Sequence, residues 1–151
     1  MRKIFLFCLL LAMIPASAQD PMPPADYWNA SDLAKALEQA ATERPAMAVS
    51  RLTNADDIRI NLIRRTEAAG AIVHRVGTEL HYITGGAGTL VTGGVVIRAD
   101  SGGPGRIEGG MARRVSTGDA ILIPEGTPHQ YTEVEGFVSY LEVRYLSNRA
   151  L

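Results

Sequence analysis

The 151-residue chain balances 15 lysines and arginines against 16 aspartates and glutamates, for a net charge of −1, and it has one cysteine. No basic run is present, which argues against nucleic acid or an anionic membrane surface as a partner. A lone Cys8 excludes an intrachain disulfide, and the length suits one domain with a real core.

In chain order, Met1-Arg2-Lys3 is a basic start, Ile4 to Pro15 is almost wholly apolar, and Ala16-Ser17-Ala18 supplies small residues ahead of Gln19. These three parts predict a secretory signal peptide over residues 1–18, and hence a periplasmic or secreted protein. The apolar run falls short of the roughly 20 residues a membrane-spanning helix needs. Cleavage after Ala18 leaves 133 residues, removes Cys8, and by removing Arg2 and Lys3 takes the charge to −3. No membrane association is expected once the signal is gone.

Residues 19–45 read as a linker and a short helix. Gln19 to Ala25 contains three prolines and suits an extended linker. Asn29 or Ser31 can cap a helix, Leu33, Leu37 and Ala40 recur at helical spacing, and Pro45 stops it. Tyr27 and Trp28 are expected to pin that helix to the body of the protein.

From Ala46 to Leu146 the pattern changes to short strands. Ile58, Ile60 and Leu62 alternate with Arg59, Asn61 and Ile63. Further strands are predicted over Met47–Leu52, Ala71–Arg75, Glu79–Thr84, Thr89–Thr92, Val95–Arg98, Asp119–Pro124 and Phe137–Leu146. Gly85-Gly86, Gly93-Gly94 and Gly109-Gly110 fall between them as hairpin or bend signals. Six of the thirteen residues from Ala99 to Met111 are Gly or Pro, which predicts a mobile loop at one end of the body. Many short strands with glycine turns and one helix point to a sandwich or closed barrel.

The three histidines, His74, His81 and His129, all lie in this strand-rich part. Glu79 and His81 share one strand face at roughly 6–7 Å spacing, close enough for both side chains to meet one ion. Imidazole nitrogens with one carboxylate suit a divalent transition metal, whereas ordinary rim histidines are the bland alternative. Tyr82 faces away from Glu79 by alternation. Tyr131 can point to the same side as His129, with packing as its expected role. Glu125 is either a proton carrier or a solvated turn residue. Arg64-Arg65 and Arg113-Arg114 either attract an anionic substrate or sit at solvated strand edges.

The segment from Gly118 through Pro124, Gly126 and His129 resembles the second motif of the cupin family: Gly, five residues, Pro, one, Gly, two, His. The closing Asn of that motif is replaced by Glu133. The first motif is matched in part, by His74, Glu79 and Gly86, with Gly88-Thr89-Leu90 where a hairpin is expected; Ile72 stands where its first His should be. The resemblance covers residues 46–146. It implies an all-β, cupin-like double-stranded β-barrel (jelly roll), frequent homodimerisation through edge strands, and a metal bound by His74, Glu79 and His129. His81 is offered as the third imidazole by strand alternation alone. The resemblance further implies iron, manganese, nickel or zinc, with dioxygenase, isomerase or lyase chemistry on a small organic molecule. The alternatives are a non-catalytic small-ligand-binding or sensory module, or a barrel that has lost its metal.

Overall fold

The computed structural model describes residues 22–98, 100 and 102–146. The predicted signal peptide, the start of the linker, and Ala99 and Ser101 of the glycine-rich segment lie outside the described residues.

Helix α1 (Ala30–Glu43) is capped by Asn29, whose side chain accepts from the Asp32 amide at 3.0 Å. Leu33, Ala36, Leu37, Ala40 and Ala41 form its half-buried stripe, at the i, i+3, i+4, i+7 spacing of one face. That face packs on strand β1 (Met47–Asn54). Ala48, which points away from its cavity-lining neighbours Met47 and Val49, is 1 % exposed beneath it. Tyr27, 82 % exposed, does not pin the helix, whereas Trp28 is 37 % exposed and so largely covered.

The body is antiparallel. Strands β2 (Ile58–Arg65), β3 (Thr78–Thr92), β6 (Met111–Ser116) and β8 (His129–Tyr145) join β1 in the order β1-β2-β8-β3-β6, with β7 (Ala120–Ile123) also pairing β3. β4 (Val95–Ile97) and β5 (Arg106–Glu108) form a separate two-stranded ribbon. The first half of β3 pairs with the last part of β8 and with β7, while its second half pairs with the start of β8 and with β6.

The two long strands close the barrel. On a straight strand, residues 131 and 140 would stand about 30 Å apart. The rings of Tyr131 and Tyr140 stack at 5.2 Å, so β8 folds back across the core. Register shifts at Ile83/Gly85, Gly86/Gly88 and Thr89/Leu90 bend β3 in parallel with it. Ile63, Ile83, Leu90, Val115, Tyr131, Val138 and Tyr140 fill the space between the two halves.

Several strand predictions change. Glu79–Thr84 and Thr89–Thr92 belong to one strand, and no hairpin forms at Gly85-Gly86 or Gly88. Gly86 instead takes φ +70 where the Phe137 carbonyl crosses it, a space no Cβ can share. Nor does the chain reverse at Gly93-Gly94, both at positive φ: Thr92 pairs with Met111 and Val95 with Glu108 in one continuous register, so the reversal lies between Ile97 and Arg106. Ala71–Arg75 is not a strand: it makes one isolated bridge, Ile72 to His129. The glycine-rich segment contains β5 and is tied down by the Ala71 amide, which donates to the Gly105 carbonyl at 2.8 Å. β6 was not predicted, because its exposed Met111, Ala112, Arg113 and Arg114 show no alternation.

Candidate metal site

Alternation on β3 turns Glu79, His81 and Ile83 inward, at 1 %, 1 % and 0 % exposure, while Tyr82 faces out. His129 is the first residue of β8 and reaches the same interior. Pro124 ends the preceding strand and Gly126 turns at φ +76, with the Thr127 amide donating to the Pro124 carbonyl.

This turn also places His74, which no strand carries. The Gly126 amide donates to the His74 carbonyl at 2.9 Å, and Ile72 and His129 exchange both backbone hydrogen bonds. Glu125 accepts from the Gly77 amide at 2.8 Å, which anchors the 72–77 loop. The rings of His74 and His129 therefore lie 5.5 Å apart, although 55 positions separate them in sequence.

All three imidazoles turn Nε2 toward Glu79. His74 Nε2 is 3.2 Å from Oε1; His81 Nε2 and His129 Nε2 are 3.2 and 3.6 Å from Oε2. As ligand groups they divide into two overlapping triads, His74–Glu79–His129 and Glu79–His81–Glu142, with Glu79 common to both. Glu142 was not singled out from the sequence. It lies on the face of β8 that carries Tyr140, and its Oε2 is 4.0 Å from His81 Nε2 while Oε1 accepts from Asn61 Nδ2 at 2.8 Å. Alternation along Tyr140, Glu142 and Arg144 would have found it.

Arg144 is the second addition. Its Nε faces Glu79 Oε1 at 3.0 Å and its Nη2 donates to His74 Nε2 at 2.8 Å. The Glu79–Arg144 contact lacks hydrogen-bond alignment, and both atoms are buried without a directed partner. Glu79 Oε1 thus has a charged neighbour but accepts no directed hydrogen bond.

The electrostatics follow from burial and mutual fields. Burial lowers the pKa of His74 and His129 despite the opposing charge of Glu79, which keeps both rings neutral. Burial alone would raise the Glu79 carboxyl. The hydrogen bond from His81 and the fields of His129, His74 and Arg144 outweigh that and hold it below the usual carboxylate range. His129 Nδ1 lies 3.2 Å from the Thr127 carbonyl, a partner that puts the proton on Nδ1 and leaves Nε2 a lone pair. His81 stacks on Tyr140 at 4.5 Å and its Nδ1 meets the Tyr131 hydroxyl at 3.4 Å, so Tyr131 both packs the core and backs the site.

His74, Glu79 and His129 fit a divalent transition ion, whereas His81 stands in the second group with Glu142. Donors bound at about 2.0–2.2 Å to one ion stand roughly 3.0–3.5 Å from each other, and His74 Nε2 and His129 Nε2 lie 3.2 and 3.6 Å from the Glu79 oxygens. The histidines, Glu142, Asn61 and Arg144 open on a cavity of about 220 Å³.

No protein-family model matches the sequence, and no curated protein sequence resembles it significantly. The fold is widely shared, with 214 solved chains similar to it. KdgF from Halomonas sp. superposes with a TM-score of 0.52 at 18 % identity, over 70 % of this chain and 84 % of that one. A predicted oxalate decarboxylase from Thermotoga maritima gives 0.51 at 16 % identity, over 67 % and 81 %. HppE in its iron(II) form gives 0.51 at 14 % identity, over 66 % and 50 %. At these identities the likeness is one of fold, and the fold is the cupin-like jelly roll that the Gly118–His129 motif implied.

Proposed function

Taking the cupin-like jelly roll as premise, we propose that the protein is an exported, metal-dependent enzyme acting on a small organic molecule. His74, Glu79 and His129 hold a divalent transition ion, while His81, offered as a further imidazole by strand alternation, groups instead with Glu79 and Glu142. The observation that carries this reading is the convergence of three Nε2 atoms on the two oxygens of one buried carboxylate. Iron, manganese, nickel and zinc all suit such a set. The fold is shared with an iron(II) protein and a predicted decarboxylase, which supports an oxygenase, isomerase or lyase by analogy of fold.

Bound there, a divalent ion supplies Lewis-acid polarisation of a ligand oxygen. The chain does the rest. Neutral His74 and His129 present lone pairs, Glu79 supplies the negative charge, and the Tyr131–Tyr140 stack fixes the plane of His81. Glu142 Oε2 carries no hydrogen bond and borders the cavity, so it can take a proton from a ligand held against His81. A cavity of about 220 Å³ lies below the roughly 300–1,000 Å³ of drug-sized sites and restricts the ligand to a few carbons.

Metal analysis tests the reading. Protein reconstituted in turn with Fe(II), Mn(II), Ni(II) and Zn(II) should retain about one equivalent of at least one ion, and Glu79→Ala should retain almost none. Less than a few tenths of an equivalent with every ion sinks it.

A second reading is favoured by Arg144, whose guanidinium already supplies Glu79 and His74 with a cation. In it the barrel binds a small ligand without metal or catalysis. Ligand stabilisation that survives chelation, with no turnover, would select this alternative.

Export rests on the pattern of residues 1–18. Protein recovered from the cell envelope should begin at Gln19. A homodimer is supported by the outer face of the β3–β7–β8 sheet, where cross-strand neighbours Leu80, Tyr82, Leu122, Leu141 and Val143 lie together, with Leu122 58 % and Tyr82 46 % exposed.

A further inference from the structure

Arg65 is a charge without a counter-charge. It is 5 % exposed, yet no carboxylate lies within ion-pair distance among the described residues. Its Nε donates to the Tyr140 hydroxyl at 3.0 Å, and its guanidinium lies 5.6 Å over the Tyr131 ring. The Tyr140 hydroxyl is neutral, since burial pushes its pKa up to about 12. The two terminal nitrogens of Arg65 have no acceptor among the described residues, and the residue lines the same cavity as the histidines. These nitrogens are not enclosed by protein, so the fork of the guanidinium faces the cavity. A counter-charge is then expected from a ligand there.

A second unmet group lies on the same face of β2. Asn61 donates Nδ2 to Glu142 Oε1 at 2.8 Å. Its Oδ1 is left buried with no donor. Arg65 pairs with Val138 and Asn61 with Glu142, four positions apart on β2 and so roughly 13 Å between their backbones. The Arg65 side chain leans back to Tyr140, one inward position from Glu142, which brings its head group toward Asn61.

We propose that the β2 wall of the cavity is a carboxylate subsite anchored by Arg65, and that the ligand is a short hydroxy acid whose hydroxyl donates to Asn61 Oδ1. The planar fork of arginine matches a carboxylate with two parallel hydrogen bonds, and the tyrosine contacts hold it ready for one. A hydroxyl several bonds from the carboxylate spans the gap to Asn61, and an acid of this length fits the cavity volume. The inference deepens the enzyme reading by naming its substrate class, and it rests on that reading only in assigning one cavity to both functions.

The test is a binding series on chelator-treated protein at fixed ionic strength: 4-hydroxybutyrate, butyrate, butane-1,4-diol and inorganic phosphate, read by calorimetry and thermal shift. The hydroxy acid should bind severalfold more tightly than butyrate, and the diol and phosphate should bind least. In Arg65→Met, affinity for both acids should fall roughly tenfold or more, as the loss of a charge-assisted hydrogen bond predicts. Metal content should stay that of the wild type, because Arg65 touches none of the candidate ligands. Removing an unpaired buried charge should also leave the melting temperature of the ligand-free protein unchanged or higher, whereas a purely structural arginine would lower it. If Arg65→Met does not fold, the wild-type series still decides. Equal stabilisation by the diol, or equal or stronger binding of phosphate, overturns the proposal. Acid binding that needs metal and ignores Arg65→Met overturns it too, while leaving the metal reading intact. Arg65-dependent binding by a protein that retains no metal supports the subsite and removes the metal.

Discussion

At the scale of single residues, the site turns on competition for Glu79. Its Oε1 is shared between His74 and Arg144, and any ion that enters must displace or face the guanidinium. Two positive charges a few ångströms apart repel by several kcal/mol at the partly buried effective dielectric of such sites. Arg144→Met should therefore raise apparent metal affinity about tenfold or more, measured by competition with a chromogenic chelator; an unchanged or weaker affinity would show that Arg144 supports the site. Protonation offers a second handle. The folded pKa values of His74 and His129 lie below 6.5, so the unfolded chain binds protons first as pH falls. The stability these residues contribute is complete above about pH 6.5 and is lost as pH drops toward their folded values. Glu79, also lowered, extends the loss below about pH 4.5. The melting temperature of metal-free protein should thus decline from pH 7.5 to 5 and further below 4.5, and a rise on acidification would contradict the assignment.

At the scale of elements, the two long strands do the positioning. β3 delivers Glu79 and His81 before its bend, and Ile83 and Leu90, seven positions apart, both reach the core because the bend lies between them. β8 brings His129 at one end and Glu142 and Arg144 near the other to the same cavity. The bend depends on Gly86, where φ is positive and the Phe137 carbonyl takes the space of a side chain. Gly86→Ala should cost more than the 1–2 kcal/mol of left-handed backbone alone, roughly 2–4 kcal/mol with the steric clash added. Chemical denaturation should show that loss, with metal content falling in parallel as the inward face rotates. By contrast, glycines such as Gly118, where nothing crowds an added Cβ, owe their place to backbone angle only.

At the scale of the molecule, the interior is divided between packing and polar work. One wall is the apolar cluster around Ile83 and Val138; the other carries His81, His129, Asn61, Arg65 and Glu142, each under 9 % exposed. So many buried polar groups lower stability unless a cation and an anion complete them, which links the two proposals thermodynamically. The outer surface carries its own apolar patch at Leu122 and Tyr82. Leu122→Arg should convert the proposed dimer to a monomer in analytical ultracentrifugation while metal content holds. A wild-type monomer at micromolar concentration would remove the dimer.

Local pattern made much of this legible. Capping and spacing gave α1 to within a residue or two, period-two alternation gave β2 and the inward face of β3, and the Gly118–His129 segment announced the turn that ends in a histidine. Those features depend on neighbours in sequence. What depends on neighbours in space was hidden. Gly85-Gly86 read as a hairpin or a bend, and the choice stayed open because a glycine pair has the same local signature at a turn and at a bend forced by a crossing strand. Ala71–Arg75 read as a strand because its residues suit one, although it pairs only at Ile72. Arg65 read as half of a basic pair that either attracts an anionic substrate or sits at a solvated strand edge, and its place in the cavity wall exists only once β2, β8 and Tyr140 are assembled. The sequence by itself named His74, Glu79, His81 and His129 as residues of ligand type and left Glu142 unmarked. The tertiary structure decided that Glu79 is their common point, that Glu142 and Arg144 share it, and that a cavity with an unpaired guanidinium lies beside it, because convergence is a property of strands brought together from distant parts of the chain.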